Sequence, residues 1–121
     1  MIRAAFEIKK NAVGRYYFIF KDDMNEAIVV SGSFGSRSDL EKNIACIRET
    51  AAVADLCEIG ENLISPLFKL CENKDGFTFS LLGYEGETIL TSKLYHEKSR
   101  CVVAVNKLKR LSYDANIIDF V

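Results

Sequence analysis

The sequence predicts an α+β domain assembled from two copies of one β-β-β-α-β unit. Aromatic and aliphatic residues recur at every second position in two separate places, Tyr16, Phe18, Phe20 and Phe77, Phe79, Leu81. Glycine, asparagine and serine punctuate both places alike, and beyond each the apolar period lengthens from two residues to about 3.6. Period two marks a strand with one buried face, and period 3.6 marks a helix with one buried stripe.

The first strand of each unit is led by phenylalanine, Phe6-Glu7-Ile8 and Phe68-Lys69-Leu70, with apolar, polar and apolar residues in turn. Each runs into a turn that contains asparagine and closes on glycine, Asn11-Ala12-Val13-Gly14 and the one-residue-shorter Asn73-Lys74-Asp75-Gly76. Glycine supplies the positive φ that such hairpins need. The aromatic stripes follow as second strands, and each fully buried ring contributes roughly 1.5–3 kcal/mol. A polar turn, Asp22-Asp23-Met24-Asn25 or Gly83-Tyr84-Glu85-Gly86, leads to a third strand, Glu26 to Ser31 or Glu87 to Ser92, in which glutamate, isoleucine and serine recur in register.

The third strands end near Phe34 and Tyr95, and helices follow. Leu40, Ile44, Ile47 and Ala51 share one helical face, as do Cys101, Val105 and Leu108. Ser36 with Asp39 three positions on is a helix-start signature, and Glu97-Lys98-Ser99 is its weaker counterpart. Short apolar runs, Asp55 to Ile59 and Asn116 to Phe120, read as fourth strands. Pro66, the only proline, closes the segment Gly60 to Pro66, which reads as the linker. Residues 1–60 and 61–121 are therefore two repeats of a single domain, because 121 residues bury one modest core and not two.

Composition bounds the function classes. With 49% hydrophobic and 27% charged residues the chain has the make-up of a folded protein, and a net charge of −1 provides no global field toward nucleic acid or an anionic membrane. The N-terminus meets Arg3 and Glu7 before any signal-length apolar run, so the expectation is a cytoplasmic protein with no membrane partner. Cys46, Cys57, Cys71 and Cys101 form no Cys-x-x-Cys pair and there is one histidine, so they read as buried small hydrophobes and not as a zinc site.

The ordered motifs resemble the YegP-like proteins, a small and mostly bacterial family built on a domain of unknown function that commonly occurs in tandem. The resemblance covers nearly the whole chain. It rests on the phenylalanine-led first strands, the Gly-x-Tyr-x-Phe-x-hydrophobic-Lys strand from Gly14 to Lys21, the Ile-x-x-Ser pattern at Ile28 to Ser31 and Ile89 to Ser92, and Phe34-Gly35-Ser36-Arg37 with Tyr95-His96-Glu97-Lys98. It implies that two β-β-β-α-β repeats form one antiparallel sheet, with both helices packed on one face and the C-terminal strands exchanged between repeats. At the second turn the family's Asn-Gly-Glu is replaced by Met24-Asn25-Glu26 and Glu85-Gly86-Glu87. The family carries no activity, and so no site residue, across to this chain.

From the residues themselves no catalytic constellation emerges, no cofactor is asked for, and the expectation is not an enzyme. His96 beside Glu97 has Gly35 as its counterpart and reads as a solvent-facing histidine ahead of a helix. The carboxylates Asp22-Asp23 and Glu85-Gly86-Glu87 sit in tight turns, where neighbours diverge and are solvated. Gly32-Ser33-Phe34-Gly35-Ser36 lacks the lysine of a phosphate-binding loop and reads as a strand-to-helix corner, although the N–H groups of Ser36 to Ser38 would suit a small anion. Two surfaces remain. With helices on one face, the opposite face shows Tyr17, Ile19 and Lys21 in one unit against Thr78, Ser80 and Leu82 in the other, and Tyr17 and Ile19 form a docking patch for a protein partner or a second copy. The alternative is a weak nucleic-acid or anionic-ligand surface on the second helix, made of Lys98, Arg100, Lys107, Lys109 and Arg110, with Tyr95 or Tyr113 for stacking. The favoured expectation is a non-catalytic interaction or accessory module.

Overall fold

A computed structural model of the chain describes residues 3–57 and 66–121. The element order is β1 (Ala5–Lys10), β2 (Tyr16–Lys21), β3 (Ala27–Val30), α1 (Arg37–Ala51), β4 (Asp55–Cys57), then β5 (Leu67–Asn73), β6 (Gly76–Leu82), β7 (Thr88–Thr91), α2 (Lys98–Leu111) and β8 (Asn116–Asp119). The β-β-β-α-β order therefore occurs twice. Within the linker segment only Pro66 is described, and Glu58 and Ile59 of the expected fourth strand also lie outside the described residues.

The expected single antiparallel sheet is corrected to two separate four-stranded sheets, ordered β3-β2-β1-β8 and β4-β5-β6-β7. Each is mixed. The meanders β1-β2-β3 and β5-β6-β7 are antiparallel, whereas β8 lies parallel to β1 and β4 parallel to β5. The C-terminal strands are thus exchanged between units, as the family resemblance implied. The helices connect the sheets: α1 carries the chain from β3 of the first sheet to β4 of the second, and α2 carries it back from β7 to β8.

Both helices on one face of one sheet is corrected with it. Here α1 packs against β2 of the first sheet and β7 of the second, and α2 packs against β6. The inner residues of both sheets and both helices form one apolar cluster, in which Phe6, Phe18, Phe20, Phe68 and Phe79 are fully buried together with Leu40, Ile44, Ile47, Cys101, Val105 and Leu108. A shared core leaves neither unit self-sufficient.

The repeat extends to geometry. Phe6 meets Phe18 edge to face with centroids 5.4 Å apart, and Phe68 meets Phe79 in the same way at 5.7 Å. The recurring serines are explained: the Phe18 N–H donates to Ser31 Oγ and the Phe79 N–H to Ser92 Oγ, each at 2.9 Å. Each hydroxyl then donates to the carbonyl of the next residue, Gly32 or Lys93. Both second turns place their left-handed residue at matching positions, Asn25 (φ 64°) and Gly86 (φ 81°). Ser36 caps α1 by accepting the Asp39 N–H at 3.1 Å, whereas Glu97 at the start of α2 makes no side-chain cap.

The edges β3 and β7 are each capped by a side chain that crosses between units. Tyr95 Oη donates to the Ile28 carbonyl at 3.0 Å, and Asn43 Nδ2 donates to the equivalent Ile89 carbonyl at 3.0 Å. Different residues solve the same problem, since an uncapped edge carbonyl under a helix would lose its water.

Candidate functional site

Strand alternation sends Tyr17, Ile19 and Lys21 to the outer face of the first sheet, where β1 adds Ala5, Glu7 and Lys9. The sheet register then assembles a row that the sequence did not disclose. Val30 of β3 lies beside Ile19, Ile19 beside Glu7, and Glu7 beside Ile118 of β8. Val30 is 46% exposed and Ile118 41%, while Ile19 is half-buried. Glu7, the one acid in the row, is buried and ion-paired to Lys21 at 3.3 Å and Lys9 at 3.8 Å. Lys9 also lies 5.1 Å from the centroid of the exposed Phe120 ring. The one carboxylate of this group is therefore shared by both lysines, leaving one positive charge in excess, and Tyr17, Ile19, Val30, Ile118 and Phe120 surround the three.

The second sheet carries the equivalent row, Thr91-Ser80-Lys69-Cys57. Ser80 Oγ and Thr91 Oγ1 are 3.1 Å apart, and Cys57 is buried where Ile118 is open. One backbone frame thus carries a row rich in exposed aliphatic side chains on one sheet and a hydroxyl-bearing row on the other. Tyr17 and Ile19 were legible by alternation. Val30, Ile118 and Phe120 were not, because the face to which they belong depends on a bulge between Phe20 and Lys21 and on a strand partner more than a hundred residues away.

The basic residues of α2 are largely committed to acids. Lys107 Nζ donates to Asp22 Oδ2 at 2.6 Å, Arg100 lies 3.4 Å from Glu97, and Arg110 lies 4.0 Å from Asp23. Lys98 is exposed and Lys109 half-buried. The expectation that Asp22-Asp23 is solvated is corrected at Asp22, which is fully buried. Its Oδ1 accepts the N–H groups of Met24 and Glu26 at 2.8 and 2.9 Å. Burial by itself would raise this carboxyl, but the Lys107 hydrogen bond and the two backbone donors outweigh it and hold the pKa below its ordinary value. The same bond pushes Lys107 up.

Between β3 and α2 runs a groove of about 820 Å³ that includes Ile28, Tyr95, His96, Arg100, Val103 and Lys107 in its lining. Burial pushes the Tyr95 hydroxyl up to about 12, and it stays protonated as a donor to Ile28. The exposed His96 has Nδ1 3.3 Å from the Asp75 carbonyl. At the strand-to-helix corner of the first unit, Arg15 Nε donates to Ser33 Oγ at 2.9 Å, and Ser36 Oγ accepts the Asp39 N–H, one residue beyond the Ser36 to Ser38 donors that would suit an anion. Among the described residues no three histidine, cysteine, aspartate or glutamate side chains are placed to hold a metal ion. Among them, too, no helix is long and apolar enough to cross a membrane.

Residues 72–119 match the family model described as a domain of unknown function, DUF1508. Two solution structures share the fold of the whole chain. One is the protein of unknown function YegP from E. coli, with a TM-score of 0.79 at 19% identity, covering 99% of this chain and 95% of that one. The other is a UPF0339 protein from Shewanella oneidensis, with a TM-score of 0.79 at 16% identity, covering 98% and 92%. No curated protein sequence matches.

Proposed function

From a chain that carries a DUF1508 domain at residues 72–119 and shares its whole fold with YegP, we propose a non-catalytic interaction module that docks a protein partner on the outer face of its first sheet. The carrying observation is the contrast between equivalent rows, Val30-Ile19-Glu7-Ile118 against Thr91-Ser80-Lys69-Cys57. Solvation asks the same of both rows, and only the first exposes large aliphatic side chains, Val30 and Ile118. Internal pairing of Glu7 with Lys9 and Lys21 lowers the desolvation cost of covering this face, since the buried carboxylate already has its cations beside it. The anionic-ligand reading loses support because Arg100, Lys107 and Arg110 already face carboxylates.

Strand spacing gives the face an area of roughly 300 Å², the scale of a functional patch on a monomer. The test places a photo-crosslinking phenylalanine derivative at Tyr17 or at its equivalent Thr78 in the native host. A discrete adduct from position 17, absent from position 78 and lost with Val30→Lys, is the expected result. Equal labelling at both positions, or none at 17, refutes the docking face.

A further inference from the structure

A patch of roughly 300 Å² is well short of the ~800 Å² per partner of a stable complex, and the strand beside it offers a way to enlarge it. We infer that β8 pairs edge to edge, antiparallel, with β8 of a second copy, joining two four-stranded sheets into one of eight strands. This deepens the docking-face reading and rests on it, because the pairing makes the two outer faces continuous.

The backbone of β8 is poised for this. Asn116 and Phe120 donate their N–H groups inward, to Ala4 and Ile8, at 3.0 and 2.9 Å. Alternation then turns the N–H and C=O groups of Ile117 and Asp119 toward the open edge. The next outward N–H, that of Val121, is capped by Asp119 Oδ1 at 2.9 Å, so the open stretch is short and bounded. All four residues of β8 are exposed, and Ile117 and Ile118 are 46% and 41% exposed. The chain holds its own control in β4, where the equivalent Leu56 is half-buried and Cys57 buried. An exposed apolar edge strand is a template for another strand.

The other candidate edges of the meanders are blunted. At β3 the ladder is bulged between Phe20 and Lys21 and the Ile28 carbonyl is taken by Tyr95. At β7 the same bulge falls between Leu81 and Leu82, and the Ile89 carbonyl is taken by Asn43. With β3 closed, pairing at β8 makes a two-fold dimer and not a fibre. The register follows from the backbone. Outward groups on Ile117 and Asp119 form a hydrogen-bonded pair with Asp119 and Ile117 of the second copy, which sets Ile118 against Ile118 on the two-fold axis. Each Asp119 remains neutralised by its own Arg37 at 2.6 Å, so the edge approaches its copy without a bare carboxylate.

The experiment is light scattering on the full chain from roughly 10 µM to 1 mM, a range suited to a narrow interface. The expected mass rises toward twice the 13.6 kDa of one chain. Ile117→Pro removes only an outward N–H, leaving the β1 ladder intact, and holds the chain monomeric, whereas Ile117→Thr keeps the donor and the dimer. Circular dichroism confirms that both variants fold. Under mild oxidation Ile118→Cys forms a chain-to-chain disulfide, and Asn116→Cys, which the register sets against Phe120 of the second copy, does not. A monomer throughout the range overturns the inference, and so does a dimer that Ile117→Pro retains or that crosslinks equally at 116 and 118. A monomer that still crosslinks a partner at position 17 ends edge pairing and leaves the docking face standing. An edge-paired dimer with no adduct at 17 does the reverse.

Discussion

Replacing Lys107 with methionine tests the join between the two units at its most charged point. Lys107 of α2 reaches across to Asp22 at the end of β2, and the 2.6 Å separation corresponds to an attraction of roughly 6 kcal/mol at an effective dielectric near 20. Truncating one member of a buried pair costs about 3–5 kcal/mol, chiefly through the charge left behind. Asp22 would keep its two backbone donors, and Lys107 is 22% exposed, so the expected loss is about 2–4 kcal/mol. Unfolding entropy scaled to this chain length makes that a fall in Tm of roughly 8–16 °C by calorimetry. A surface control, Lys42→Met, stays within about 0.5 kcal/mol.

The pH dependence has a definite sign. Asp22 titrates below its ordinary 3.8 when folded, so its stabilisation is full above that value and is lost as pH falls through the folded pKa. Lys107 titrates above its ordinary 10.5, so its share is full below that value and is lost as pH rises through the folded pKa. The gap between wild type and Lys107→Met is therefore flat between about pH 4 and 10 and shrinks on the acid side. Equal melting temperatures at neutral pH, or a gap that persists unchanged in acid, would refute the assignment.

Removing the crossing caps one at a time, with Tyr95→Phe or Asn43→Ala, costs about 1–3 kcal/mol each in denaturant titrations, because each strands a strand-edge carbonyl. Two distant caps should add, and strong coupling between them would contradict independent seams. Gly76→Ala is expected to destabilise by more than 2 kcal/mol, on the order of other core backbone clashes, since φ is 152° and a Cβ would lie 2.2 Å from the Tyr95 carbonyl oxygen. Loss of the Phe77–Tyr95 bridge, read by amide exchange, accompanies it.

The two units are equivalent in backbone and unequal in chemistry, and the join between them is where they diverge most. Opposite Asp22 the second unit has Gly83, and opposite Lys107 the first has Cys46. There Glu87 Oε1 accepts the Glu85 N–H at 3.1 Å, and a Cβ on Gly83 would lie 2.2 Å from that oxygen. The small residue thus leaves room for the neighbouring carboxylate. Aligning the halves in sequence shows that Asp22 and Gly83 differ, but it does not show that one reaches across the molecule.

Local patterning determined the elements by itself. The period-two stripes of Tyr16 to Phe20 and Phe77 to Leu81, the turns closing on Gly14 and Gly76, and the Ser36 cap are all decided within a few residues of chain, where sterics and hydrogen bonding act directly. Doubling of those patterns also announced that two units share a core, since a chain this short cannot fill two. Which strands lie beside one another was decided only in three dimensions. A strand's alternation states that one face is buried but is the same for parallel and antiparallel neighbours, so nothing in Asn116 to Asp119 specified β1 as its partner or divided the strands of the described residues into two sheets. The burial of Asp22 and the apolar row through Ile118 follow from those long-range pairings, because a side chain's surroundings are set by whatever the fold brings against it.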